Sequence, residues 1–280
     1  MSKRNQLPVA DFKRSVRAGA DLSVKALEHW DYGVRAAADT ADNVINIYDA
    51  IGYDYWTGGV TANSISTALR NIGATADVIV NINSPGGDVF EGLAIYNLLR
   101  QHQGTVTVRV LGLAASAASY IALAGDRVEI ARAGFFMIHN AWTYAAGNRN
   151  DFADIGNVLG EIDAVIAEIY AVRTGIDQAE LAAQMDAETW ISGTKAVEQG
   201  FADAYLATDQ IDSTQNMSQQ NIAAQKMDLI MARAGMPMAE RQSMIAALAG
   251  ADQSDTHMPT PDLDASALQD VLALTQSLST

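Results

Sequence analysis

The 280-residue sequence contains no cysteine, which excludes disulfide bonds and thiolate metal sites and fits a reducing compartment. It has only four histidines, so few side chains can act as a general base near neutral pH. No apolar run approaches the roughly 20 residues of a membrane-spanning helix. The N-terminus is charged but lacks the continuous apolar segment of a secretory signal. We therefore expect a soluble protein of the cytoplasm with no membrane partner.

Basic residues are also scarce, with 18 Lys and Arg against 33 Asp and Glu and a net charge of −15. Nucleic-acid binding requires clustered basic side chains, so this balance argues against that function. The basic residues are enriched near the N-terminus, whereas the remainder is strongly acidic. The sequence predicts a flexible extension over 1–40 and a folded domain over 41–207. A polar linker, a small helical hairpin and an acidic tail are predicted over 208–280.

Short β-branched segments alternate with amphipathic segments from residue 44 onward. Strands are predicted at VINIYDAIG (44–52), DVIVNI (77–82), TVTVRVLG (105–112), RVEIA (127–131) and GFFMIHN (134–140), and helices over 61–73, 89–102 and 114–124. This order predicts an α/β fold with a mainly parallel sheet and right-handed crossovers. Residues 148–175 carry apolar side chains at three- and four-residue spacing and predict one long helix, which we expect to contact another subunit.

The alanine-rich stretch LGLAASAASYIALAG (111–125) contains two serines, and a serine becomes a nucleophile only beside a base. His139 is the best candidate base, since it closes the apolar strand FFMIH at a strand end, where α/β sheets place their active sites. His102 lies among glutamines and is expected on the surface. A Ser–Lys dyad is disfavoured, because Lys195 is the only lysine between residues 41 and 207.

The oxyanion that forms during acyl transfer needs backbone N–H donors. NSPGGD (83–88) could supply them through Gly86 and Gly87, whose backbones can adopt conformations closed to other residues. Ser116 at the strand-to-helix junction would add the amide of Ala117 as a second donor. Ser119 falls one turn deeper, where small size alone explains it. The segment MDAETWIS offers Asp186 and Glu188 to orient His139, and composition does not choose between them.

These segments, in this order, resemble the proteolytic subunit family of the Clp protease. NINSPGGDVFEGLAIYNLL (81–99) is similar to its Gly-Gly segment, GLAASAASYIALAGD (112–126) to its nucleophile segment, FFMIHNAW (135–142) to its histidine segment, and ETWISGTKAVEQGFAD (188–203) to its closing motif. The resemblance implies the Clp protease and crotonase-like spiral of βαβ units with a long oligomerisation helix. It implies a serine endopeptidase with the triad Ser116, His139 and Glu188, where the family has aspartate; Asp186 is the alternative acid.

The flanking segments resemble the related head maturation proteases of tailed phages and prophages. That resemblance implies a ring-forming homo-oligomer that cleaves scaffold and major capsid proteins in the bacterial cytoplasm or inside an assembling procapsid. It requires no cofactor or metal, and it does not imply an unfoldase partner. Two alternatives remain: a catalytically silent scaffolding subunit with the same fold, and a crotonase-like acyl-CoA enzyme, which would not need a Ser–His pair.

Overall fold

The computed structural model describes residues 23–31, 34–36, 41–52, 58–207 and 211–212, with single positions at 227, 231, 236, 240–241 and 243–245. Most of the predicted linker, helical hairpin and acidic tail lie outside the described residues. Among the residues described, no helix is both long and apolar enough to cross a membrane.

Nine strands and seven helices are assigned within those ranges. The strands are β1 Arg35–Ala36, β2 Val44–Ile47, β3 Val78–Ser84, β4 Val106–Ala115, β5 Arg127–Ile130, β6 Phe135–Ile138, β7 Thr189–Ser192, β8 Ala204–Tyr205 and β9 Ile211–Asp212. The helices are α1 Val24–His29, α2 Ala62–Ile72, α3 Val89–Gln101, α4 Ala117–Ala122, α5 Arg149–Thr174, α6 Gln178–Asp186 and α7 Gly193–Glu198.

The main sheet is mostly parallel, as the alternating pattern predicts. Its order is β2-β3-β4-β5-β8, and β6 pairs in parallel with β4. The strand β7 runs antiparallel to β6 and was not predicted. Its four residues carry too short a pattern to be recognised, and their pairing with β6 is a long-range interaction. The fold class is therefore the predicted α/β architecture.

The long strand β4 pairs with two different neighbours on the same side. Its first half, Thr107–Val110, pairs with β5, and its last residues, Leu113–Ala115, pair with β6. Toward the carboxyl end of β4 its neighbour therefore changes from β5 to β6. The carboxyl ends of β4 and β6 lie side by side. Because parallel strands end at one edge, the residues after these two strands, Ser116 and His139, are brought together.

Alternate side chains of β4 and β6 enter two separate apolar clusters. Ala114 and Ile138 join the large cluster formed with helices α2 to α5, whereas Ala115 and Met137 join a smaller cluster with α1. Successive side chains of a strand point to opposite faces, so α1 covers the face opposite α4 and α5. The sheet is thus covered on both sides where the candidate site lies.

The helix α1 lies within the segment for which we predicted a flexible extension. Its Ala26 is fully buried, and the Trp30 indole donates a hydrogen bond to the carbonyl of Asn83 over 2.9 Å. The side-chain amide of Asn83 in turn donates to the backbone carbonyl of Asp31. These contacts attach residues 23–31 to the sheet. The division of the chain at residue 40 remains a prediction.

The expectation of a surface position for His102 is wrong. The side chain is only 8% exposed, and its Nε2 lies 2.7 Å from the carbonyl oxygen of Ala76. The flanking glutamines suggested solvent, but the turn that follows α3 folds the imidazole against the loop before β3. His102 is a hydrogen-bonded structural residue and takes no part in the site described below.

Candidate active site

Ser116 occupies a strained turn between β4 and α4. Its backbone has φ 52° and ψ −123°, a combination that non-glycine residues rarely adopt. The Ser116 N–H donates to the carbonyl of Met137 over 2.9 Å, which fixes the turn against β6. Strain of this kind persists where the surrounding structure holds it, and it is concentrated at functional sites. The turn leaves the Ser116 side chain partly exposed at the sheet edge.

The imidazole of His139 is placed against this serine. Its Nε2 lies 2.7 Å from the Ser116 Oγ, within hydrogen-bonding distance. With the proton on Nδ1, Nε2 accepts the hydrogen bond from the hydroxyl, and this is the tautomer that a general base requires. The structure therefore brings together the two residues that the sequence paired.

Burial controls the protonation of His139. Desolvation lowers the pKa of His139 below its ordinary value, and the negative charge of Glu188 opposes that shift. A lowered pKa keeps the ring neutral, and so able to accept a proton, over a wider pH range.

Two backbone amides near Ser116 donate no hydrogen bond within the described residues. Gly86 and Gly87 have φ values of 89° and 147°, and the Gly86 carbonyl and the Asp88 N–H are both bonded to Ile51. The Gly87 N–H between them, and the Ala117 N–H at the start of α4, donate no hydrogen bond to any described residue. Gly86 itself donates to the Ser84 hydroxyl, so its amide is already used. The available pair is Gly87 and Ala117.

The two candidate acids have different surroundings. Glu188 is half-buried, has φ 50°, and lies close enough for its charge to raise the pKa of His139. Asp186 is exposed, and its carboxylate accepts a hydrogen bond of 2.6 Å from the Asn140 amide. Among the described side chains, no carboxylate is hydrogen-bonded to His139 itself. Glu188 thus acts on the base through its charge, and Asp186 acts on the residue after the base.

Sequence reasoning missed the role of Ser119. Its hydroxyl lies 2.5 Å from the carbonyl oxygen of Ser116 and 2.6 Å from the hydroxyl of Tyr170 on α5. Burial raises the pKa of Tyr170 well above its usual range, so this hydroxyl remains a donor. Small size is therefore not the whole reason for a serine at this position. The available signal was a lone tyrosine within the apolar stripe of the long helix.

A narrow cleft surrounds the paired side chains. Its walls include Gly87, Ser116, Tyr120, His139, Trp142 and Tyr170. Within the part of the chain described, no group of three or more histidine, aspartate or glutamate side chains is arranged to hold a metal ion.

Comparison with known proteins gives a family. Residues 57–209 match the model of the Clp protease family, and this match covers more than half of the chain. The chain belongs to the Clp protease family. The match contains Ser116, His139 and both candidate acids.

Several Clp protease subunits align with about half of the chain. The proteolytic subunit 1 of the ATP-dependent Clp protease from Borreliella burgdorferi is 26% identical over 143 residues, which are 50% of this chain and 74% of that protein. Subunit 2 from Treponema denticola is 29% identical over 137 residues, 48% of this chain and 68% of that protein. The subunit from Pleurastrum terricola is 32% identical over 135 residues, which are 47% of this chain and 68% of that protein.

Proposed function

We propose that this chain is a serine endopeptidase in which Ser116 is the nucleophile and His139 the general base. The observation that carries the proposal is the 2.7 Å contact between Ser116 Oγ and His139 Nε2 at a strained strand-to-helix turn. A hydroxyl beside a neutral imidazole is the arrangement required for nucleophilic attack on a peptide carbonyl. Membership of the Clp protease family supports the same assignment.

In the proposed reaction, Ser116 Oγ attacks the scissile carbonyl carbon while its proton moves to Nε2 of His139. The negative charge that develops on the carbonyl oxygen is received by the N–H groups of Gly87 and Ala117. The imidazolium then returns its proton to the leaving amine, and the acyl group remains on Ser116. Water then attacks the acyl carbon while one of its protons moves to Nε2 of His139. The ring passes this proton to Ser116 Oγ as the ester bond breaks, which releases the peptide acid and restores the serine.

Glu188 is the proposed third member of the triad. Its charge stabilises the imidazolium that forms when Ser116 loses its proton, which is the main contribution of a triad acid. Its effect on the pKa of His139 favours it over Asp186, whose carboxylate is bonded to Asn140.

A fluorophosphonate probe tests the nucleophile. The wild-type protein should be labelled at Ser116, and Ser116→Ala should lower peptidase activity by at least about a thousandfold. Ser66→Ala, a change on α2 outside the cleft, is the matched control and should behave as wild type. Labelling that persists in Ser116→Ala, or activity that survives the substitution, would exclude the assignment.

The substrates we propose are the scaffold and major capsid proteins of a tailed phage, cleaved by a ring of identical subunits. This part of the proposal is supported by the resemblance of the flanking segments to phage head maturation proteases. Co-expression with a neighbouring capsid operon should give shortened scaffold or capsid protein with the wild type and full-length protein with Ser116→Ala. If the two give the same lengths, the chain is a scaffolding subunit of the same fold rather than a maturation protease.

A further inference from the structure

An ion pair joins the N-terminal helix to the candidate triad acid. The ammonium of Lys25 on α1 lies 3.1 Å from Oε1 of Glu188, and the lysine side chain is 63% exposed whereas that of the glutamate is 26% exposed. An exposed surface ion pair contributes little to stability. This one is notable for where it is placed, because its acidic member is the residue that acts on His139.

The helix that carries Lys25 is fixed on the strands that carry the site. Ala26 and Trp30 pack with Leu113, Ala115 and Met137, at the ends of β4 and β6. Ala115 directly precedes Ser116, and the carbonyl of Met137 accepts the hydrogen bond from the Ser116 N–H. The Ser23 side chain caps the helix by accepting from the Ala26 N–H. The position of Lys25 is therefore set by packing and not by the ion pair alone.

The acid itself needs support. Glu188 has φ 50°, and its N–H donates to the carbonyl of Met185 in the last turn of α6. Glutamate has one more methylene group than aspartate, so its carboxylate can adopt more positions. The Lys25 ammonium, 3.1 Å from Oε1, restricts that freedom.

From this arrangement we propose that Lys25 is a positioning residue of the candidate active site, which holds the Glu188 carboxylate behind His139 and makes catalysis depend on the N-terminal segment. The inference rests on the proposed function. It assigns a role to a residue of the segment 1–40, which the sequence predicted to be a flexible extension. It gives Lys25 no contact with substrate.

The proposal has an electrostatic consequence with a definite sign. Lys25 partly neutralises Glu188, so removing the ammonium increases the negative field at His139 and raises the pKa of His139. The other ionisable groups on the elements around Glu188 are His29 on α1, Asp163 on α5 and Asp186 at the end of α6. The His29 ring packs against Trp190 at a tilt, with ring centroids 4.8 Å apart. His29 Nδ1 lies 2.8 Å from the backbone carbonyl oxygen of Lys25, a contact that a side-chain substitution at residue 25 leaves in place.

The experiment compares the pH dependence of Ser116 labelling in Lys25→Met, Lys25→Arg and wild type. In Lys25→Met the acidic midpoint should move up by about half a pH unit, which lowers the rate at acidic pH about threefold. Lys25→Arg keeps the charge and should restore the wild-type midpoint. Glu28→Gln, an exposed charge change on the same helix, is the control and should have no effect. If the full-length Lys25→Met protein does not fold, Lys25→Gln replaces it.

Two backgrounds make the result specific. In Glu188→Gln the Lys25→Met shift should largely disappear, because the coupling passes through the carboxylate. In His29→Gln the shift should persist, because His29 is not its source. Identical midpoints for Lys25→Met and wild type would overturn the proposal, since a purely structural helix would lower stability and leave the midpoint unchanged.

A second readout does not depend on activity. Hydrogen exchange at the imidazole C2 position, followed by mass spectrometry, reports the pKa of His139 directly, and it should rise in Lys25→Met. Absence of any Ser116 labelling in the wild type would reject the proposed function while leaving this measurement valid. An unchanged His139 pKa would reject the role of Lys25 whether or not the protein is a peptidase.

Discussion

The Ser119 hydroxyl connects the backbone of Ser116 to the long helix α5, since it lies 2.5 Å from the Ser116 carbonyl oxygen and 2.6 Å from the Tyr170 hydroxyl. Ser119 donates to the carbonyl and accepts from Tyr170. These two hydrogen bonds thus attach the strained turn at Ser116 to α5, a helix that begins more than 30 residues later in the sequence. Both side chains are buried, so neither can exchange its partner for water.

A double-mutant cycle tests this connection. Ser119→Ala leaves the Tyr170 hydroxyl buried without a partner and should lower the free energy of unfolding by about 1–3 kcal/mol. Tyr170→Phe removes the hydroxyl and should lower it by about 0.5–1.5 kcal/mol. The double variant should lose less than the sum, because no partner is then left unpaired. Denaturant unfolding measures all three, and strictly additive losses would contradict the hydrogen bond.

Long periodic segments made most of the fold predictable. The apolar repeats of α2, α3 and α5 predicted those helices to within about a residue of their observed ends. Short elements were not predictable in the same way: β7 is defined by pairing with β6, which the four letters TWIS do not encode. The observed end of β4 differs from the predicted one at the strand-to-helix junction. The strand extends to Ala115, three residues beyond the predicted end.

The sequence predicted the site residues whose chemistry few side chains can supply. It did not predict the features that depend on tertiary contacts. With so few histidines, His139 was chosen because it closes an apolar strand, and the structure places it at Ser116. The positive φ of Ser116 and Glu188 has no sequence signal, because glycine is the residue expected in such backbone conformations. The ion pair between Lys25 and Glu188 joins segments far apart in the chain, which single-sequence periodicity does not relate.

Exchanging each candidate acid for its amide should distinguish their roles. Glu188→Gln removes the charge that raises the pKa of His139, so the acidic midpoint of kcat/KM should move to lower pH. The plateau rate should fall by about 10–10⁴-fold, because the imidazolium loses its stabilising charge. The pH–rate profile of the peptidase reaction is the measurement.

Asp186→Asn is the matched comparison. The change preserves shape and weakens the hydrogen bond from Asn140, so we expect a smaller loss of rate and little movement of the midpoint. The opposite ranking, with Asp186→Asn causing the larger loss and the shift, would transfer the triad role to Asp186.

The Gly-Gly segment should not tolerate side chains. A Cβ on Gly87 would overlap the backbone carbonyl of Ile51, and a Cβ on Gly86 would lie 2.6 Å from the Cβ of Ser116. Both residues also have positive φ. Gly87→Ala should therefore displace an oxyanion donor and lower kcat by about 10²–10³-fold. Gly156→Ala on α5 meets nothing within 4 Å and is the control; equal activities in the two variants would remove Gly87 from the oxyanion site.

The guanidinium of Arg173 is buried away from the site, and the protein's stability should depend on its counter-charge. Its Nη2 lies 2.5 Å from the Asp203 carboxylate, and its Nη1 donates to the carbonyl of Gly125 over 3.2 Å, so it ties the end of α5 to β5 and β8. Asp203→Asn leaves this buried cation without its counter-charge and should lower the free energy of unfolding by about 3–5 kcal/mol. Arg173→Met should cost less, because the remaining carboxylate is partly exposed and still accepts from the Val128 N–H. Combining the two should recover part of the loss. Denaturant unfolding gives the order, and if Arg173→Met is the more damaging change, packing rather than charge governs this contact.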